Sequence, residues 1–146
     1  MQIQKKIFLI FLITSTFVAC TKDDDNDVTP SPTGSVNPRN KFIGNWMCSE
    51  ESEIFPPTTF PVDIYAHTTI SNRIVVSNFY GLGPTQSNCQ MEIIGDSITI
   101  FQQNVSGHEF IGSGKLLTNS TIRLTYTADD GSGTIDHVVD NLTKTN

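Results

Sequence analysis

Three histidines, three acidic clusters and three cysteines are the residues of this 146-residue chain whose chemistry could define a function. His67, His108 and His137 fall on or beside different predicted strands. None is paired at the i, i+4 spacing by which a helix offers two imidazoles to one metal, so they read as surface or rim histidines. Asp129-Asp130-Gly131 followed by Asp136 has the composition of a calcium loop, but it lacks the alternating oxygen ligands and closing Glu of an EF-hand. A hairpin turn accounts for it. Glu50, Glu51 and Glu53 could supply paired carboxylates for acid and base work, yet adjacent carboxylates in a Pro-containing loop are ordinarily solvated. There is neither a Gly-X-Ser-X-Gly elbow nor a glycine-rich phosphate loop. The expectation is a protein that is not an enzyme and uses no cofactor or metal.

The cysteines divide by position. Cys20 follows a leader in which Lys5 and Lys6 precede the apolar run Ile7 to Ile13, too short to cross a bilayer and patterned as a secretory signal peptide. Cys48 and Cys89 remain for the folded part. In an oxidising compartment an even pair favours a bridge, and the expectation is a Cys48–Cys89 disulfide, two buried thiols being the alternative. The predicted strands that carry Cys48 and Cys89 are not neighbours in a simple barrel, so the bridge requires a flattened barrel or a bent loop after Cys48.

Phe17-Val18-Ala19-Cys20 resembles a bacterial lipobox, with Phe where Leu is commoner. The resemblance implies that residues 1–19 are removed and that Cys20 is acylated, palmitate being among the chains it would carry. Several acyl chains exceed the two-signal threshold for stable anchoring. Lys22-Asp23-Asp24-Asp25, beside that cysteine, resembles the export signal of Bacteroidota-type surface lipoproteins and implies the outer face of the outer membrane. Val28 to Asn40, with Pro30, Pro32, Gly34 and Pro38, has no apolar period and reads as a semi-extended tether.

Without Lys5 and Lys6, the chain's net charge of −6 becomes near −8. That excludes nucleic acid as the expected partner and disfavours anionic lipid as a docking surface for the domain itself. Residues 41–146 are enough for one core and not two. Period-2 alternation recurs along them between turn residues. The predicted strands are Lys41 to Cys48, Phe60 to Ile70, Arg73 to Tyr80, Ser87 to Ile94, Ser97 to Gln103, His108 to Leu117, Thr121 to Thr127 and Thr134 to Thr143. The fold class is therefore all-β, an antiparallel up-and-down meander of about eight strands, for which closure into a barrel removes both edges.

Gly44-Asn45-Trp46 resembles the Gly-X-Trp signature of lipocalins, whose Trp packs at the closed end of an eight-stranded barrel. Over Lys41 to Lys144 the chain is similar to small lipocalin-like lipoproteins of Bacteroidota, through Phe42-Ile-Gly-Asn-Trp, Ile74-Val-Val-Ser-Asn-Phe-Tyr-Gly-Leu-Gly, Gly95-Asp-Ser-Ile-Thr-Ile, Ile111-Gly-Ser-Gly and Leu124-Thr-Tyr-Thr-Ala-Asp-Asp-Gly. The resemblance implies a fold and a location but carries no activity; the basic residue it expects late in the last strand is Lys144. Asp96-Ser97-Ile98 resembles a bacterial O-glycosylation acceptor, with Ser97 as the site.

The meander also sorts the connections. Ser71-Asn72, Gly95-Asp96 and Asn119-Ser120 are predicted as tight turns at the end where the tether enters. Ser49 to Thr59, Gly81 to Gln86, Asn104 to Gly107 and Ala128 to Gly133 are the longer loops of the opposite rim. That rim carries Phe55, Tyr80, Leu82, His108, Asp129 and Asp130, apolar anchors amid polar groups. The alternative is that Phe55, Tyr80 and Leu82 fold inward as a lid. The expected function is a lipid-anchored, cell-surface binding module for an apolar small molecule, a glycan or a surface protein; the other reading is an accessory lipoprotein that docks on a surface complex without a ligand of its own.

Overall fold

The structure is a computed structural model and describes residues 37–86 and 88–145. Cys20 and the export motif Lys22, Asp23, Asp24 and Asp25 lie outside the described residues. Eight strands, β1 Gly44–Ser52, β2 Thr58–Ala66, β3 Arg73–Ser77, β4 Cys89–Ile94, β5 Ser97–Val105, β6 His108–Thr118, β7 Thr121–Asp129 and β8 Ile135–Lys144, follow one another around a closed barrel. Every neighbouring pair is antiparallel, and β8 closes on β1 from Trp46 opposite Lys144 to Ser52 opposite Val138. The all-β meander barrel read from the alternation is the fold.

The alternation sets the interior. Along β1, Trp46, Cys48 and Glu50 are buried between exposed neighbours, and β7 repeats the pattern with Ile122, Leu124, Tyr126 and Ala128. Burial of large side chains such as Phe42, Trp46, Ile74, Phe110 and Leu142 contributes about 1.5–3 kcal/mol each. Gly112 and Gly114, on the inward row of β6, admit a close approach of β7: a Cβ on Gly112 would collide with Tyr126 Cβ and the Thr125 carbonyl, and one on Gly114 with the Leu124 side chain. The β4–β5 backbone pairing spans Glu92 to Ile94. Higher up, the Gln103 amide takes over, accepting from Gln90 N at 2.9 Å and donating to Gln90 O at 2.7 Å.

The structure corrects several expected boundaries. The tether does not run to Asn40, because Pro38–Lys41 is a 3-10 turn that belongs to the barrel floor. Arg39, 9% exposed, donates through Nη1 to the carbonyls of His67, Ile70 and Arg73 at 3.0, 2.8 and 3.0 Å. Those bonds hold residues 67–72 as a six-residue connection, not the extension of β2 to Ile70 and tight Ser71-Asn72 turn that alternation suggested. The third strand stops at Ser77 instead of Tyr80, since Asn78 and Tyr80 both take left-handed backbone angles, φ 55° and 57°, around the 3-10 turn Phe79–Gly81. The connection after β5 is a two-residue turn, Ser106-Gly107, and not a long loop.

Cys48 and Cys89 form no disulfide; both are buried free thiols. Cys48 stands opposite Phe60 and Leu142, while Cys89 stands opposite Val76, and two whole strands separate β1 from β4. The barrel is not flattened in the way a bridge would require. At the floor, Trp46 Nε1 donates to Phe42 O at 2.9 Å, and the Lys144 ammonium lies over the Trp46 ring, 5.2 Å from its centroid. Lys41 pairs with Asp96 beside the exposed Ser97.

Candidate functional site at the open rim

The loops after β1, β3 and β7 gather at the end opposite the floor, where a cavity of about 240 Å³ is lined by Phe55, Tyr80, His108, Asp130, Asp136 and their neighbours. Each wall has a local cause. The chain after Ser77 turns inward at Asn78, whose amide accepts from Gly83 N at 2.9 Å and donates to Pro61 O at 2.7 Å. Phe79 then drops into the barrel, edge-on to Phe110 at 5.1 Å and tilted on Tyr126 at 4.7 Å. Tyr80 stays above it, 5.6 Å from the His108 ring, with its hydroxyl donating to Asp136 Oδ2 at 2.7 Å. A left-handed conformation costs a residue with a Cβ roughly 1–2 kcal/mol, so the surroundings hold Tyr80 there against its own preference.

Asp136 is 2% exposed. It accepts from Ser52 Oγ at 2.7 Å, from Tyr80 and, through Oδ1, from Glu53 N at 3.1 Å. All three donors are neutral. Asp129 and Asp130 instead serve the β7–β8 turn, accepting from Gly131 N at 2.8 Å and Ser132 N at 2.9 Å. The bonds from Ser132 hold the Asp130 carboxyl below its ordinary range.

Of the six rim residues predicted from sequence, Phe55, Tyr80, His108 and Asp130 line one cavity. Asp129 is drawn into the turn. Leu82 is half-buried and packs against the core with Tyr80, whereas Phe55 stays 56% exposed. The lid therefore consists of Phe79, Tyr80 and Leu82, and Phe55 stands outside it.

Below the cavity lies a cluster that sequence reasoning misplaced. Glu50 is not in a solvated loop: it is a strand residue, 5% exposed, on the inward row of β1. The Tyr126 hydroxyl is shared between Glu50 Oε2 at 3.3 Å and Asp140 Oδ2 at 3.2 Å. Burial first, and then the Glu50 charge, pushes the Asp140 carboxyl up to about 7. Burial likewise raises Glu50, with Asp136 adding to the effect. Burial, followed by the charges of Asp140 and Glu50, lifts the Cys48 thiol far above its ordinary range, and burial alone does the same for Cys89. The available signal was period 2, since Asp136, Val138, Asp140 and Leu142 share one face of β8.

Charge divides along the barrel axis. The bases of the described residues sit toward the floor: Arg39, Lys41 and Lys144 at its base, Arg73 at the start of β3, Lys115 and Arg123 in the lower parts of β6 and β7. Seven of the eleven described acids lie toward the other end, Glu50, Glu51 and Glu53 as β1 rises, Glu109 atop β6, and Asp129, Asp130 and Asp136 round the last turn; Glu92 and Asp96 are at the floor, with Asp63 and Asp140 between. Among the described residues, Lys41–Asp96 is the one ion pair, and it is at the floor.

A larger concavity, about 800 Å³, lies on the outer wall along Ile111, Thr125, Thr127, His137 and Val139. It is lined mainly by the outward rows of β6, β7 and β8. Volume favours the wall, but the rim cavity is where aromatic rings, a buried carboxylate and a strained tyrosine converge, so the rim is the candidate site.

No protein-family model and no curated protein matches the chain. Among solved structures, a redesigned beta barrel is similar over 77% of this chain and 98% of its own, at 10% identity and a TM-score of 0.58. EF1p2_mFAP2b bound to DFHBI is similar over 75% of this chain and 98% of its own, at 10% identity and a TM-score of 0.54. At such identity the similarity concerns the fold alone.

Proposed function

We propose that this protein is a lipid-anchored binding module of the outer-membrane surface that recognises its ligand through the open rim. The carrying observation is the convergence of Phe55, Tyr80 and His108 with Asp130 and Asp136 round one cavity. The first described residue, Asn37, caps the 3-10 turn of the floor. A lipid on Cys20 followed by an acidic, Pro-rich tether would hold that end toward the membrane and present the rim outward. One of the similar structures, EF1p2_mFAP2b, is bound to DFHBI.

The exposed Ile54, Phe55 and Ile135, 45, 56 and 50% accessible at the same end, support the second reading, an accessory lipoprotein whose rim docks on another surface protein. The experiment that separates them is a thermal-shift screen of the purified full chain against small amines, apolar molecules and glycans, beside an affinity capture from the membrane. A ligand whose effect is lost in Phe55→Ala supports the binding module. A captured protein, lost in Phe55→Ala without any ligand response, supports docking. Cys20→Ser should release the protein from the membrane fraction, and replacing Asp23, Asp24 and Asp25 together by Ala should abolish its accessibility to protease on intact cells. Unchanged anchoring or unchanged exposure would refute the corresponding part.

A further inference from the structure

We infer that the rim cavity binds a small organic ammonium group, a primary or quaternary amine. The inference rests on the reading of the rim as the binding end and adds the chemistry of its ligand. Cation recognition needs π faces and negative charge without a resident lysine or arginine, and the cavity supplies both. Phe55 and Tyr80 present rings whose faces attract a positive charge, and His108 stands 5.6 Å from Tyr80. Asp136 lies among the lining residues, a buried carboxylate satisfied only by the neutral donors Ser52, Glu53 N–H and Tyr80. A buried charge ordinarily acquires a partner of opposite sign. Here Lys and Arg sit toward the floor, and among the described residues no ion pair joins His108 to Asp136, which leaves the carboxylate open to a partner from outside.

Competing classes fit less well. An anion would meet Asp130 and Asp136 with no lysine or arginine at hand. A wholly apolar ligand would face those carboxylates with nothing to give them. For a bare divalent metal, hard oxygen ligands would have to converge, and among the described residues no three His, Cys, Asp or Glu side chains are arranged to hold one. A neutral sugar could donate hydroxyls to the carboxylates but would leave their charge unanswered. The volume of about 240 Å³ is below the ~300–1,000 Å³ typical of sites for drug-sized ligands. It suits a head group, with any tail lying out across the exposed Ile54 and Phe55.

The test uses the purified full chain in a non-ionic detergent and four probes: tetramethylammonium, choline, the neutral choline isostere 3,3-dimethylbutan-1-ol, and glucose, followed by calorimetric titration. Choline should bind at least about tenfold more tightly than its isostere. Its affinity should fall as salt is raised. Asp130→Asn keeps the oxygen that caps Ser132 and removes the charge; it should weaken choline several-fold with only a small fall in melting temperature. Phe55→Ala, at an exposed position, should do the same. If the isostere or glucose binds as well as choline and Phe55→Ala still weakens it, the ammonium inference is overturned while the rim survives as the binding end. If choline binds but is unaffected by Phe55→Ala and Asp130→Asn, both fail. No response to either ammonium probe at millimolar concentration overturns the inference whatever the other probes do.

Discussion

Each end of the barrel buries an ionisable side chain without an ion pair, Arg39 at the floor and Asp136 at the rim, and the two are handled in opposite ways. At the floor, the Arg39 guanidinium is spent on three backbone carbonyls, and the group it orders is the protein's own 67–72 connection. At the rim, the Asp136 carboxylate is held by three neutral donors on the wall of a cavity, with further carboxylates around it. The floor charge is used up inside the fold, whereas the rim charge is only solvated by it. The floor is built with its indole, cation and cap in mutual contact, Trp46 beneath Lys144 and bonded to Phe42; the rim keeps a tyrosine in a left-handed backbone and leaves a phenylalanine in water. On the proposed reading, the floor serves stability and the rim serves binding.

The largest expected effect would break this comparison at the floor. Arg39→Ala removes three bonds from a charged donor; Ile70 O and Arg73 O keep the backbone donors Arg73 N and His67 N, but a bond to a charged group contributes about 1.5–3 kcal/mol, so denaturant unfolding should show a loss of about 3 kcal/mol or more. A loss below about 1 kcal/mol would mean that water replaces the guanidinium and that the floor is not closed by it. The same reasoning places the start of the domain before Arg39, so removing residues through Asn40 should cost as much.

The next effect belongs to the acid cluster between the two ends. Asp140 ionises at about 7 in the folded chain and near its ordinary 3.8 when unfolded. Between those values the unfolded chain releases a proton that the folded chain keeps, so this group's contribution lowers stability as pH rises from about 4 to about 7 and then levels off. The size is up to about 4 kcal/mol at 1.36 kcal/mol per unit. Asp140→Asn should flatten the decline and be the more stable protein at about pH 8, while differing little at about pH 4. A variant less stable at both would show that the carboxyl serves the fold as an anion.

The smallest effect is an expected zero. With Cys48 and Cys89 free and buried, a reductant should leave the melting temperature unchanged. A thiol reagent should label both Cys48 and Cys89 once the chain is denatured and react slowly with either before. A mass two hydrogens lighter, with neither Cys48 nor Cys89 labelled, would restore the bridge.

Particular residues explain how far sequence alone carries. Ile122, Leu124 and Tyr126 alternate cleanly with polar neighbours, and Gly95-Asp96 marks a turn by composition, so the meander and its two ends were legible. Phe55, Tyr80, His108 and Asp130 followed from counting which connections share an end. Glu50 was assigned to a solvated loop and Asp140 was not singled out, because a carboxylate argues against burial until a hydroxyl such as that of Tyr126, 76 residues from Glu50, is known to meet it. Arg39 was hidden in a stretch without apolar period, since its role lies in carbonyls 28 to 34 residues away. Asn78 and Tyr80 interrupt a strand whose alternation continues through them; only their backbone angles reveal the turn. The cysteine pair carried no distance information, and the order of strands separates it.

The central claim, a closed floor and a receptive rim, is tested most directly by mapping a choline titration on the amide resonances of the isotope-labelled protein. The account predicts shifts confined to the neighbourhood of Phe55, Tyr80, His108 and Asp130, with the amides of Lys41, Trp46 and Lys144 unmoved. Shifts centred on the floor, or along Ile111, Thr125 and His137 on the outer wall, would contradict it.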